Sequence, residues 1–330
     1  MPIISHDYYT TSLVLGLVQS LKALARAHAP ESVMGVPCYN RAHGPALTHL
    51  SGVAMHLIDP DTDLPPTQVM VGRKPISYRR CGDGPPLILL HGWGGSSRYW
   101  RSTLNALSAT HDVIAPDLPG FGDSPPLDGY ANIHRVVDTI VTLADRLGLE
   151  QFDLNGHSFS GSTAVYVAAH YPDLVRRLVL TSFSTFRNEP ERRFVMQVHK
   201  VLPLWMALRR PWMGDHRLFV RAVSTRLFYH LPDDQLLREG FADFLKMDKR
   251  SSLANASSVG DREINLALRQ IRSPTLLIGS RQDTIMPPGG TSVAAKFIPN
   301  SRLVWIDHCG HLPMLERPDV YNRILADFLD

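Results

Sequence analysis

Residues 152–172 read FDLNGHSFSGSTAVYVAAHYP. The opening FDLN predicts a short strand, and the run from Ser162 to Pro172 predicts a helix. Gly156-His157-Ser158-Phe159-Ser160-Gly161 therefore has to turn the chain sharply from one to the other. A serine on so tight a turn projects its Oγ away from the sheet, and Gly156 lets the backbone fold closely before it. The same helix start offers unpaired backbone N–H groups to a developing negative charge. Ser158 thus stands where a nucleophile would; the plain alternative is a capping serine, since serine is common at helix starts.

Working outward, FDLNGHS is one of a series of β-rich runs that also includes TQVMV, PISYRRC, PPLILLHG, HDVIAPDLPG, VRRLVLTS, SPTLLIGS and SRLVWIDH. Several are continuously apolar, as strands buried on both faces of a parallel sheet are. Helical periodicity fills the spaces between them, at Trp100 to Leu107, Ile133 to Leu147, Ser160 to His170, Ser292 to Phe297 and Val320 to Phe328. This rhythm predicts an α/β fold with a mostly parallel, doubly wound central sheet flanked by helices. The core comprises residues 67–183 and 274–330. Between them, residues 184–273 show no strand pattern and are far longer than a usual connection, so they read as an inserted helical cap. The connector IDPDTDLPPTQ, residues 58–68, sets off an N-terminal extension, residues 1–66, that is partly helical.

Composition narrows the function classes. A chain of 330 residues that is 44% hydrophobic and 20% charged is a soluble globular protein able to bury a sizeable core. A net charge of +3, with no run of Lys and Arg, argues against nucleic acid. Cys38, Cys81 and Cys309 have no CxxC spacing, so neither a disulfide framework nor a zinc ribbon is expected, and a cytoplasmic location is preferred. Ser12 to Ala27 is too short and too polar to span a bilayer. Its leucines recur at helical spacing, and packing on the protein's own body is favoured over docking at a membrane surface or against a second copy. The cap holds 16 Lys and Arg against 10 Asp and Glu. A solvated surface is the plain reading of that excess, and attraction of an anionic head group or membrane surface is the sharper one. Nothing in the sequence fixes an oligomeric state.

Further motifs lie at the ends of the predicted strands. His91-Gly92-Trp93-Gly94-Gly95 directly follows PLILL, and Asp117-Leu118-Pro119-Gly120-Phe121-Gly122-Asp123-Ser124 follows the next run. Asp283 lies just past PTLLIG, and His311 follows SRLVWI within GHLPMLERP. Taken in this order, the chain resembles a serine hydrolase of the α/β-hydrolase superfamily, esterase- or lipase-like, from about Thr67 to Asp330. The cap matches only in position. The family's nucleophile pattern is G-x-S-x-G, and this chain departs from it at Ser160, its second glycine being displaced to Gly161. Serine adds only a Cβ and a hydroxyl there, so some crowding between helix and strand is expected.

A serine hydroxyl needs a base to take its proton and an acid to orient that base. The resemblance implies that Ser158 is the nucleophile, His311 the base and Asp283 the acid. It also implies an oxyanion hole made by the backbone N–H groups of Trp93 and Phe159. Gly92 and Gly94 would allow the tight turn that aims such groups inward, and His91 and His157 would be structural or pocket-wall residues. His308, before the glycine of its motif, is out of register and reads as a loop residue. HExxH, P-loop and dinucleotide patterns are missing, so no metal and no cofactor is implied. The expected substrate is a small-molecule or lipid-like ester with an apolar acyl group, because the cap is rich in residues such as Trp205, Trp212 and Phe219. A C–C bond hydrolase, a proline-type aminopeptidase and a non-catalytic receptor are the alternatives on this fold.

Overall fold

The structure, a computed structural model, describes residues 63–129, 132–186, 188–193, 206, 208–257 and 261–330. The extension helix expected at Ser12 to Ala27, with its docking alternatives, lies outside the described residues, as does the apolar cap stretch 194–205.

Eight strands form one sheet: β1 (Thr67–Val71), β2 (Lys74–Cys81), β3 (Pro86–Leu90), β4 (Asp112–Pro116), β5 (Phe152–His157), β6 (Val175–Thr181), β7 (Thr275–Ser280) and β8 (Ser301–Ile306). Their order across the sheet is β1-β2-β4-β3-β5-β6-β7-β8. β1 and β2 are antiparallel to their neighbours and every other pairing is parallel. The inner strands are apolar on both faces because both faces are covered. In β3, Ile88 and Leu90 enter one buried cluster while Leu87 and Leu89 enter the other. Helices α2 (Ile133–Arg146) and α3 (Phe159–His170) cover the first face, and α1 (Arg101–Leu107) covers the second.

Between β6 and β7 the described chain is helical, with α4 (Arg217–Ser224), α5 (Asp234–Lys246), α6 (Lys249–Ser257) and α7 (Ile264–Gln270). The expected cap boundary at residue 273 does not follow the packing. Ile264, Ala267 and Leu268 of α7 are buried in the same cluster as α3 and as α8 (Pro288–Phe297), so α7 belongs to the helical layer of the sheet. The final elements are α9 (Pro313–Glu316) and α10 (Pro318–Leu329), and Tyr321, Leu325 and Leu329 of α10 join α1 on the second face.

β3 and β5 are neighbours, and the connection leaving β3 runs to β4 on one side while that leaving β5 runs to β6 on the other. The crevice at the carboxyl ends of the strands, at such a switch point, is where open α/β sheets place their sites.

Candidate active site

Ser158 lies between β5 and α3 with φ 57° and ψ −121°, a left-handed conformation that side chains rarely adopt. Its side chain makes no capping hydrogen bond, so the helix-cap alternative falls. The backbone is held in place instead: Ser158 N–H donates to Thr181 O at 2.8 Å, and Gly161 N–H donates to Ser158 O at 2.9 Å. A Cβ at Gly156 would lie 2.5 Å from Ser160 O and 2.7 Å from the Ala164 Cβ, which is why the residue before the turn must be glycine. Gly161 is equally constrained, but by Phe183, 2.5 Å from where its Cβ would be.

Ser160 does not merely fit. It is fully buried, and its hydroxyl donates to the main-chain carbonyl of His91, joining the helix start to the HGWGG loop. The expected crowding is therefore replaced by a hydrogen bond that glycine could not make.

Three side chains from separate strand ends meet here. His311 Nε2 is 2.8 Å from Ser158 Oγ, and His311 Nδ1 is 2.8 Å from Asp283 Oδ2. The second oxygen of Asp283 accepts from Ile285 N and Met286 N, each at 2.8 Å. A carboxylate so occupied keeps its charge directed at one edge of the imidazole. With Nδ1–H donating a hydrogen bond to Asp283, Nε2 presents its lone pair to the serine hydroxyl. All three residues are about 5% exposed.

His91 and His157 are walls of the site rather than members of this relay. His91 Nε2 accepts from Leu118 N at 3.0 Å, which leaves its Nδ1–H to donate to Gly92 O at 2.8 Å. Burial lowers its pKa against the opposing pull of Asp117. His157 Nε2 donates to His311 O at 3.0 Å, while its buried Nδ1 has no partner among the described residues. Burial, and then the neighbouring His311, push the pKa of His157 well below the usual value of 6.5, so it stays neutral. Its ring fixes the need for glycine at 92, where a Cβ would come within 2.6 Å of Nδ1.

Gly94 takes φ 78° and its loop is fastened to the insertion. Trp93 Nε1 donates to Ser252 O at 2.9 Å, its ring meets Phe244 edge-on at 5.8 Å, and Ser96 Oγ donates to Asp243 Oδ2 at 2.5 Å. Burial raises the pKa of Asp243, and the Ser96 hydrogen bond opposes this only in part. His308, with φ 52°, packs on Tyr229 and makes no described contact with the three central residues. Burial pushes the Cys309 thiol up to about 12, so it is inert at neutral pH. Among the described residues no group of three His, Cys, Asp or Glu side chains is placed to hold a metal ion, and no helix is long and apolar enough to cross a membrane.

Two residues without an expected role support this arrangement. Gln282 Oε1 accepts from Cys309 N at 3.2 Å, and Glu316 accepts from Gly310 N at 2.8 Å. Glu316 carried a signal, as the acidic residue of the motif that contains His311; Gln282 carried none beyond adjacency to Asp283.

Sheet order, strand-end placement and serine turn together describe a hydrolase. The family model described as alpha/beta hydrolase fold matches residues 85–318, and the chain belongs to that family. RutD of Pseudomonas savastanoi pv. phaseolicola, described as a carbamate hydrolase, is 32% identical over 76% of this chain and 96% of its own length. The 2-hydroxymuconate semialdehyde hydrolase of Pseudomonas putida is 30% identical over 75% of this chain and 88% of its own. Among solved structures, the enol-lactonase of Burkholderia xenovorans LB400 shares the fold with a TM-score of 0.70 at 23% identity, covering 80% of this chain and 99% of that one.

Proposed function

We propose that the protein hydrolyses a carboxylic ester with an apolar acyl group through an acyl-enzyme. The observation that carries this reading is the unbroken contact from Ser158 Oγ through His311 to Asp283, both links at 2.8 Å, with the serine on a left-handed turn. His311 takes the Ser158 proton as Oγ attacks the ester carbonyl, and Asp283 stabilises the imidazolium that forms. The N–H groups of Trp93 and Phe159 hold the oxyanion. Return of the proton to the leaving alkoxide releases the alcohol. Water, deprotonated by His311, then frees the acid. An apolar acyl group is supported by Met206, Phe244, Met247 and Leu253 of the insertion, which pack in one cluster with Trp93.

The test is hydrolysis of p-nitrophenyl esters from acetate to palmitate by the wild type and Ser158→Ala. The variant is expected to lose on the order of a thousandfold or more in kcat. Wild-type protein that is inert to every ester yet labelled at Ser158 by a fluorophosphonate refutes ester cleavage. That result favours the C–C reading, which the relative from Pseudomonas putida, named as a semialdehyde hydrolase, supports. Absence of labelling favours a receptor.

A further inference from the structure

We infer that Glu316 is a positioning residue that locks the loop of His311 to the insertion, so that the base and the segment 227–230 move as one body. The inference rests on the proposed role of His311 as base.

His311 sits on a loop rather than on a regular element, and a reacting imidazole misplaced by even 1 Å loses about 10²-fold in rate. What holds this loop is a consecutive set of main-chain bonds. Cys309 N donates to Gln282 Oε1 at 3.2 Å, Gly310 N to Glu316 Oε2 at 2.8 Å and His311 N to Leu227 O at 2.7 Å. His311 O accepts from His157 at 3.0 Å.

Within this set Glu316 alone bridges two segments with a charge. Its side chain is 2% exposed, and its carboxylate also accepts from Tyr229 N at 3.1 Å and His230 N at 2.6 Å. Three backbone donors compensate the desolvation of the carboxylate, and such charge-assisted bonds are the strong ones. The segments it joins are already in van der Waals contact. A Cβ at Gly310 would lie 2.6 Å from Leu227 O and 2.8 Å from both Phe228 Cα and Tyr229 N. Glu316 touches neither Ser158 nor the imidazole in any described contact, so its effect reaches the reaction through the backbone of Gly310.

The experiment compares wild type, Glu316→Gln and Glu316→Ala by p-nitrophenyl acetate kinetics, the rate of Ser158 labelling by a fluorophosphonate, and thermal melting. Gln keeps one carbonyl oxygen that can serve both Gly310 and Tyr229 but turns an NH₂ toward His230. Expected is a graded loss in kcat, about 3–10-fold for Gln and about 10–100-fold for Ala. KM should stay within about twofold, and labelling should slow in the same order. If Ala does not fold, the Gln variant decides alone. Wild-type kcat and labelling in Gln, or a KM that rises with kcat unchanged, overturns the inference. Labelling separates this failure from that of the ester reading: wild type labelled but inert to esters still permits the comparison by labelling rate.

Discussion

Ser160→Gly would restore the glycine of the family pattern, and by sequence alone it looks harmless. The structure predicts the opposite. Ser160 is fully buried and its hydroxyl is the described donor to the His91 carbonyl, which glycine leaves buried and unpaired. An unsatisfied buried acceptor costs about 1–3 kcal/mol. Glycine in place of serine within a helix adds about 0.5 kcal/mol from backbone entropy. Removal of so few atoms leaves a negligible cavity, so the sum is about 2 kcal/mol. At about 2–4 °C per kcal/mol for a domain of this order of size, melting falls by about 4–8 °C. Urea denaturation of wild type and variant measures it directly, with a lower midpoint and an unchanged slope expected. Because His91 opens the loop that carries Trp93, kcat on p-nitrophenyl acetate should fall a few-fold in parallel. A variant as stable as wild type refutes the reasoning, for it would mean the hydroxyl only occupies space.

Stability should also fall on mild acidification. Burial holds the pKa of His157 and His91 below 6.5, so below about that pH the unfolded chain binds protons that the folded chain does not. The contribution is fully present above pH 6.5 and is lost as pH drops, at most about 1.4 kcal/mol per pH unit for each histidine. The urea midpoint of wild type is expected to decline from pH 7.5 to 5.5, and His157→Gln to flatten that decline; equal slopes would sink the assignment. On the sheet, Asp153 is fully buried and paired with Arg176, whose Nε lies 2.9 Å from Oδ1, while Arg177 stands 3.8 Å away. Arg176→Met should destabilise by about 2–3 kcal/mol, less than for a fully buried pair because Arg176 is 35% exposed. Adding Asp153→Leu should recover most of the loss, and a double variant no more stable than the single one argues against an uncompensated charge as the cause.

What the sequence made legible was what is local. The strands, the turn at Ser158, the glycines of HGWGG and the placement of Asp283 and His311 just past strands β7 and β8 each depend on a few adjacent residues. Contacts across the chain were not legible. The partner of Ser160 lies 69 residues away, that of Ser96 147, and the amides bound by Glu316 86 and 87. No propensity or spacing announces a hydrogen bond of that span. The boundary of the insertion failed for a related reason: α7 carries its apolar residues on one face, and that pattern is the same whether the face meets the sheet layer or a cap.

Ser158 and His311 are separated by 153 residues, with the insertion between them. During synthesis the turn at Ser158 can form once β5 and β6 have paired, since its amide is anchored on Thr181. Asp283 and His311 arrive only with β7 and β8, which add to the open side of β6. An emerging chain thus carries the serine turn before the residue that meets its hydroxyl has been made, since domains fold in this amino-to-carboxyl order during synthesis. The contact among the three side chains is completed only when the insertion and the last strands are in place.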